Sequence, residues 1–128
     1  MKVNHHSDIE LKAVEMEGAA NTKVRQLIGA NVSAANFAMR MFEIDPGGHT
    51  PRHQHDYEHE IYVLEGEGVV FEGDEQHTLK SGDVIYVHPN DIHQFRNTGS
   101  ETMKMLCLIP NSATSKEIKV VPECGTEA

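Results

Sequence analysis

The chain has 128 residues and a formal net charge of −9, with 11 Lys and Arg against 20 Asp and Glu. This acidic balance argues against nucleic acid as a partner, because phosphate backbones require a basic surface, and it offers no polybasic patch to a membrane. No apolar stretch is long enough to span a bilayer, and residues 1–20 lack the pattern of a secretory signal. Only two cysteines occur, Cys107 and Cys124, so we expect no disulfide framework and a cytoplasmic location.

The predicted elements are short strands joined by turns rich in Gly, Pro, Asn and Asp, and no segment carries a helical period. The predicted strands cover residues 23–28, 36–44, 61–64, 69–72, 76–79, 84–87, 92–96 and 103–109. This spacing is typical of an antiparallel sandwich or barrel, and it predicts an all-β fold.

We expect a single domain in three parts. Residues 1–22 form an N-terminal arm with an edge strand, residues 23–110 form the β-barrel, and residues 111–128 form a C-terminal tail. The tail is polar except for a β-like patch at residues 118–121, which we expect to pair with a sheet edge or with another subunit.

The predicted strand at residues 36–44 is apolar on both of its alternating faces, which is typical of a strand buried on both sides or placed in a subunit contact. Arg40 shares a face with Ala38 and Phe42. If that face points inward, Arg40 needs an anionic partner such as a substrate carboxylate. If it points outward, Arg40 forms a surface or dimer ion pair, and both interpretations stay open. The Asp-Pro-Gly-Gly sequence at residues 45–48 predicts a turn after this strand.

Four histidines are predicted to face one interior point. His53 and His55 are two residues apart and project from the same face of an extended chain. His59 begins the next strand in phase with the apolar residues that follow it, and His93 lies in a later strand that can pair across the sheet. Because buried imidazoles need partners for their acceptor nitrogens, we expect these four to bind one divalent metal ion.

Other polar residues near this cluster are predicted not to be ligands. Glu60 neighbours His59, but its strand phase directs it to the opposite face. The remaining candidates lie in turns or on the wrong phase, or are solvent charges by default; they are His49, His77, His88, Asp74, Glu75 and Asp83.

Cys107 shares a strand face with Met103, Met105 and Ile109. If that face is the interior one, the thiol can lie close to the metal as a soft outer group, and the alternative is a small buried apolar side chain. Arg40 and Cys107 are therefore the two candidate catalytic residues, while the catalytic residues themselves are not fixed by the sequence.

The two histidine-bearing stretches resemble the motifs of the cupin superfamily. Gly47, the His53–His55 pair and Gly66 stand at the positions of the first motif, with His59 in place of its usual Glu ligand. Gly82, His93 and Asn97 stand at the positions of the second motif, where His88 and Asn90 replace the usual Pro and Gly. Asn tolerates a left-handed backbone better than most residues, so the turn at Asn90 can form.

The resemblance, which extends over residues 23–110, implies an antiparallel double-stranded β-helix, or jelly-roll barrel. The His59 replacement resembles a subgroup of small single-barrel (monocupin) proteins with four histidine ligands, His53, His55, His59 and His93, that bind manganese. Manganese is implied by this resemblance alone, since imidazole also suits Fe, Zn, Ni and Cu.

Four neutral imidazoles leave the charge of a divalent ion uncompensated, and an octahedral ion keeps two positions for ligands. We therefore expect a metal-dependent, dioxygenase-like oxidoreductase that acts on a small organic molecule, anionic or enolic in character. The alternatives are a non-catalytic barrel that binds a small ligand, and a non-redox isomerase, lyase or decarboxylase of small sugar acids. We also expect a homodimer, because two apolar strand segments, residues 36–44 and 118–121, otherwise expose sheet edges.

Overall fold

A computed structural model describes residues 1–115 and 119–120 of the chain. Its strands are β1 (Lys12–Ala13), β2 (Ala20–Ile28), β3 (Phe37–His49), β4 (His53–Gln54), β5 (His59–Glu65), β6 (Glu67–Glu72), β7 (Glu75–Lys80), β8 (Val84–Val87), β9 (His93–Asn97), β10 (Met103–Pro110) and β11 (Lys119–Val120). Short 3-10 turns lie at His6–Asp8, Ala30–Val32 and Asn111–Ser115. Within this part of the chain, no helix is long and apolar enough to cross a membrane.

All described strand pairs are antiparallel, and they form one curled sheet. Its main path runs β11-β4-β9-β3-β10-β5-β8, with β2 joined to β3 and the β6–β7 hairpin joined to β9. The sheet branches at β9, which pairs with β3, β4 and β6. This confirms the predicted all-β antiparallel jelly-roll barrel.

The long strand β3 connects the two halves of the barrel. Its first part pairs with β2 on one edge and with β10 on the other. Its last residue, His49, pairs with Arg96 of β9. The predicted turn at residues 45–48 does not end this strand. Gly47 adopts a φ of 80°, which a glycine can occupy at little cost, so the strand bends there and continues to His49.

The barrel core follows from strict alternation along β5 and β10. In β10, residues Met103, Met105, Cys107 and Ile109 are buried, and the residues between them are partly exposed. In β5, His59 shares the buried face with Ile61 and Val63. The register places Cys107 opposite both Ile61 of β5 and Arg40 of β3. His59 and Cys107 are thereby buried in the interior, with the half-buried Arg40 next to Cys107.

Both chain ends add strands to the sheet. Strand β1 pairs with β2 where the N-terminal edge strand was predicted. Lys119–Val120 forms β11 against β4, while the other residues of the predicted patch at 118–121, and Cys124, lie outside the described residues. The division into arm, barrel and tail stays a prediction.

Candidate metal centre

The four predicted histidines reach one end of the barrel from three strands and one connection. His53 lies on β4 directly opposite His93 of β9. His55 follows β4 in the connection to β5, and His59 is the first residue of β5. The connection is held in place by a backbone hydrogen bond of 2.7 Å, in which the N–H of Asn90 donates to the carbonyl of His55. Asn90 has a φ of 69°, so the turn expected there forms with Asn in the left-handed region.

Three of these side chains form a tight group. The ligand-type atoms of His53, His55 and His93 lie within 4.8 Å of one another. The ring of His59 stacks on that of His55 at a centroid distance of 4.4 Å, and it lies 5.2 Å from His93 and 6.5 Å from His53. The barrel thus brings all four rings together, with a three-histidine group that could hold a metal ion and His59 beside it.

The Nδ1 atoms of the three grouped histidines all face backbone carbonyls. His53 Nδ1 lies 2.7 Å from the carbonyl oxygen of Pro51, His55 Nδ1 2.8 Å from that of Tyr57, and His93 Nδ1 2.8 Å from that of Asp91. A carbonyl only accepts hydrogen bonds, so each Nδ1 carries the proton and donates. Each Nε2 therefore keeps its lone pair, as a metal-binding imidazole requires.

Burial keeps these imidazoles neutral. Desolvation is the main cause that lowers the pKa of His53 to about 4 and that of His93 to about 3. The same desolvation lowers the pKa of His55 and of His59, and the Arg40 charge lowers both further. A protonated imidazole cannot bind a metal, so this environment favours the form that can.

The residues fit a divalent metal ion. The Nε2 atoms of His55, His59 and His93 are buried and have no hydrogen-bond partner in the described chain. Unpartnered buried polar atoms are costly, and an ion bound by several Nε2 lone pairs would remove that cost. Imidazole donors of this kind suit first-row transition metals.

His59 differs from the other three in its outer partner. Its Nδ1 lies 3.4 Å from the sulfur of Cys107 rather than against a carbonyl. The same sulfur accepts a hydrogen bond of 3.1 Å from Nη2 of Arg40. Burial raises the pKa of the Cys107 thiol. Both candidate residues from the sequence therefore lie at the histidine cluster, with Arg40 on the interior face of β3.

A cavity of about 310 Å³ opens beside the cluster. The histidines that reach it are His53, His59 and His93, and its other walls are mostly apolar. Val14, Glu15 and Met16 contribute to its lining from the segment between β1 and β2. The cavity is thus a mainly hydrophobic chamber with a histidine cluster at one wall, the usual character of a small-molecule site.

Two supporting residues carried no signal in the sequence. Tyr57 is buried, stacks on His55 at 3.9 Å and lines the cavity, although it lies in a connection without a strand period. Thr50 accepts a hydrogen bond of 2.9 Å from the Phe95 N–H through its hydroxyl. The amide of Gln94 donates to the Thr50 carbonyl at 2.9 Å. These contacts fasten the segment that carries Pro51, the carbonyl partner of His53.

The residues expected not to be ligands lie away from the cluster. Glu60, His77 and His88 are exposed, and His49 is partly buried with its Nδ1 3.3 Å from the Gln94 amide. A second trio with ligand-type spacing is fully on the surface and consists of Glu72, Glu75 and His77.

Comparison with known proteins identifies relatives along most of the chain. Residues 40–109 match the cupin domain family. The polyketide cyclase RemF from Streptomyces resistomycificus superimposes with a TM-score of 0.87 at 30% identity, covering 98% of this chain and 88% of that one. A "predicted oxalate decarboxylase" from Thermotoga maritima gives a TM-score of 0.75 at 26% identity, with coverages of 85% and 98%.

A third relative is similar in sequence along nearly the full chain. The 1-methylthio-D-xylulose 5-phosphate methylsulfurylase of Rhodospirillum rubrum is 28% identical over 122 residues, which are 94% of this chain and 74% of that protein. The relatives bear names for different reactions, so they indicate a shared architecture more than a shared activity. The match over residues 40–109, together with the RemF similarity along almost the whole chain, shows that this protein belongs to the cupin family.

Proposed function

We propose that the protein is a metal-dependent enzyme that activates a small enolisable carbonyl or carboxylate compound in the apolar cavity. In this proposal His53, His55, His59 and His93 hold one divalent ion, manganese first and iron second, with Zn, Ni and Cu as further alternatives. The ion would supply Lewis-acid polarisation of an oxygen on the substrate.

The observation that carries the proposal is the hydrogen bonding of the histidine rings. Three Nδ1 atoms donate to carbonyls, and the buried Nε2 atoms of His55, His59 and His93 have no partner within the described residues. A structural histidine satisfies both ring nitrogens when it is buried. A cluster that leaves several Nε2 atoms unsatisfied at a cavity wall is instead arranged for an added ligand.

Other residues of the cavity can bind and orient a substrate. The Tyr57 ring packs on His55, and burial raises the pKa of its hydroxyl, so at neutral pH this group is a hydrogen-bond donor. Phe95, Ile61 and Met105 form apolar walls, which exclude water and strengthen polar contacts inside. Among the described residues, no carboxylate lies in the histidine cluster, and the one that lines the cavity belongs to Glu15, so proton transfer falls to a group outside the cluster.

The relatives support a reaction that does not consume dioxygen. One is named a polyketide cyclase and another a predicted oxalate decarboxylase, and both substrate classes carry carbonyl or carboxylate oxygens. The dioxygenase-like oxidoreductase expected from the sequence stays a prediction and is the second candidate. A non-catalytic barrel that binds a small ligand is the third.

The first test is the metal content of the purified protein, of His59→Ala and of His6→Ala, by elemental analysis. We expect about one ion per wild-type chain, a large loss in His59→Ala, and no loss in His6→Ala, which removes an exposed imidazole outside both groups with ligand-type spacing. Equal metal in all three would contradict the ligand role of His59. Absence of metal from the wild type, even after soaking, would overturn the proposed function.

The second part of this test separates the candidates. The metal-loaded protein is incubated with a β-dicarbonyl compound, a 2-oxo acid and oxalate, in air and under argon. Turnover that persists under argon supports the proposed reaction class. Turnover that requires air, with matching oxygen uptake, would replace it with the oxidoreductase. Ligand-dependent thermal stabilisation without turnover would favour the binding barrel.

A further inference from the structure

Arg40 places a positive charge inside the cavity. It lies on the interior face of β3 and lines the chamber together with Phe42. Its guanidinium carbon lies 5.0 Å from the centre of the Phe42 ring, and Nη2 donates to the sulfur of Cys107 at 3.1 Å. These contacts hold the guanidinium on the wall beside the histidine cluster.

This charge has no carboxylate partner within residues 1–115 and 119–120. Its Nε is buried and makes no hydrogen bond to the described residues. Arg25, on the neighbouring strand β2, also has a buried Nε without a hydrogen bond, but this Nε lies 3.5 Å from a Glu43 carboxylate oxygen and forms an ion pair. The carboxylate that lines the same cavity belongs to Glu15, which is exposed and forms no ion pair with Arg40.

Arg40 is half-buried, and a guanidinium that is partly withdrawn from water without an anion is retained where it meets an anion at some stage. Neutral thiol and aromatic contacts do not neutralise it. We propose that Arg40 is the binding site for a carboxylate group on the substrate. This deepens the proposed function, because it adds a second anchoring point to a substrate whose reacting oxygen lies at the histidines.

The surroundings favour a carboxylate over a phosphate. A guanidinium and a carboxylate match as a pair of parallel hydrogen bonds with equal and opposite charge. A phosphate monoester carries up to two charges and three acceptor oxygens, and it requires more donors than this wall provides. The other donors that line the cavity include the Gln26 amide and the Tyr57 hydroxyl, which are neutral, and Arg40 is the one Lys or Arg in the described lining.

The position of Arg40 also restricts the size of the substrate. Only the Cys107 sulfur separates the guanidinium from His59, through contacts of 3.1 Å and 3.4 Å. A molecule that contacts both the guanidinium and the histidine cluster therefore carries its carboxylate a few bonds from the reacting oxygen. The predicted class is a short oxo- or hydroxy-carboxylic acid with an apolar body that fills the chamber.

The test uses protein freed of metal with a chelator, so that it does not depend on the metal site. Binding of phenylacetate, phenylacetamide and phenyl phosphate is measured by calorimetry and by thermal unfolding. We expect phenylacetate to bind and raise the unfolding temperature, and the neutral amide to bind about 10- to 100-fold more weakly. Arg40→Gln removes this preference, whereas Arg40→Lys, which keeps the charge without the planar fork, retains part of it.

Lys104→Gln is the matched control, because it removes one positive charge from a residue paired with Glu65 outside the cavity. Circular dichroism verifies that each variant is folded. If Arg40→Gln does not fold, the comparison of the wild type with Arg40→Lys still tests the inference. Four results would each overturn the inference: no phenylacetate binding by the wild type, equal binding of acid and amide, a carboxylate preference that survives Arg40→Gln, or tighter binding of phenyl phosphate. None of these four results changes the metal content measured by elemental analysis, so failure of this inference is distinguishable from failure of the proposed function.

Discussion

At the scale of single residues, the unusual feature is the sulfur that supports His59. Backbone carbonyls orient the rings of His53, His55 and His93, and such partners depend little on side-chain identity. His59 instead faces a replaceable side chain, the thiol of Cys107, which is itself in contact with Arg40. Changes at position 107 therefore act on one histidine alone.

Cys107→Ala removes this outer partner, and we expect the variant to bind metal about 10- to 100-fold more weakly, the usual effect of losing an outer hydrogen bond to a ligand. Cys107→Ser, which keeps an acceptor of similar size, should recover part of the affinity. The measurement is a metal titration against a competing chelator. If the Ala variant binds metal as tightly as the wild type, the thiol has no role in holding His59.

Much of the cluster was predictable because strand periodicity is a strong signal. The two-residue spacing of His53 and His55 and the phase of His59 place these rings inward, and Glu60, on the opposite phase, is exposed as expected. Tyr57 was not predictable, since a connection has no period to indicate its direction. The direction of Arg40 was also open, because both faces of its strand are apolar and only the pairing of β3 with β2 and β10 decides it.

At the scale of elements, β6 approaches β9 and β10 especially closely at Gly68. A Cβ at Gly68 would lie 2.4 Å from the Arg96 carbonyl oxygen and 2.7 Å from the Met103 sulfur. The carbonyl belongs to a paired backbone and has little freedom to move. Position 68 therefore requires glycine for close approach of two strands.

We expect Gly68→Ala to destabilise the protein by on the order of 1–3 kcal/mol, the usual cost of overpacking a close contact. Gly99→Ala is the control, because a Cβ there meets its nearest atom, the Glu67 carbonyl oxygen, at 3.4 Å, and its effect should be small. Urea unfolding of both variants measures the difference. Similar midpoints for the two variants would contradict the steric account.

The turn residues and the alternation of apolar residues predicted where each strand lies more reliably than where it begins and ends. The predicted strands from residue 61 to residue 109 coincide with β5 to β10 to within a few residues. The short strand β4 lies where His53 and His55 were expected in an extended chain, but it covers only His53 and Gln54. The bend at Gly47 was taken for a turn because local sequence does not show that His49 goes on to pair with both β2 and β9.

At the scale of the whole molecule, the outer face of the β5–β8 edge is unusually apolar. Val84 and Tyr86 on β8 are 74% and 50% exposed, and Tyr62, the register partner of Val84 on β5, is 45% exposed. Strand β3 is paired on both edges and does not supply the free edge that the sequence suggested. The homodimer stays a proposal, and this patch is its best support.

We expect light scattering at micromolar concentration to give twice the chain mass of 14.3 kDa, and Val84→Lys to shift the population toward monomer by placing a charge in the patch. Gln76→Lys, which adds the same charge at an exposed residue of β7 outside the patch, serves as the control. A monomeric wild type would contradict the dimer. The cytoplasmic location also stays a prediction.

The cavity wall formed by Val14, Glu15 and Met16 has an evolutionary consequence. These residues precede the segment that matches the cupin domain family, residues 40–109, and they lie outside the described strands. Mutations in this segment disturb neither the strand register of the barrel nor the histidine cluster. Descendants of one ancestral barrel can therefore acquire new substrate preferences by drift in this short segment while the histidine cluster is inherited unchanged.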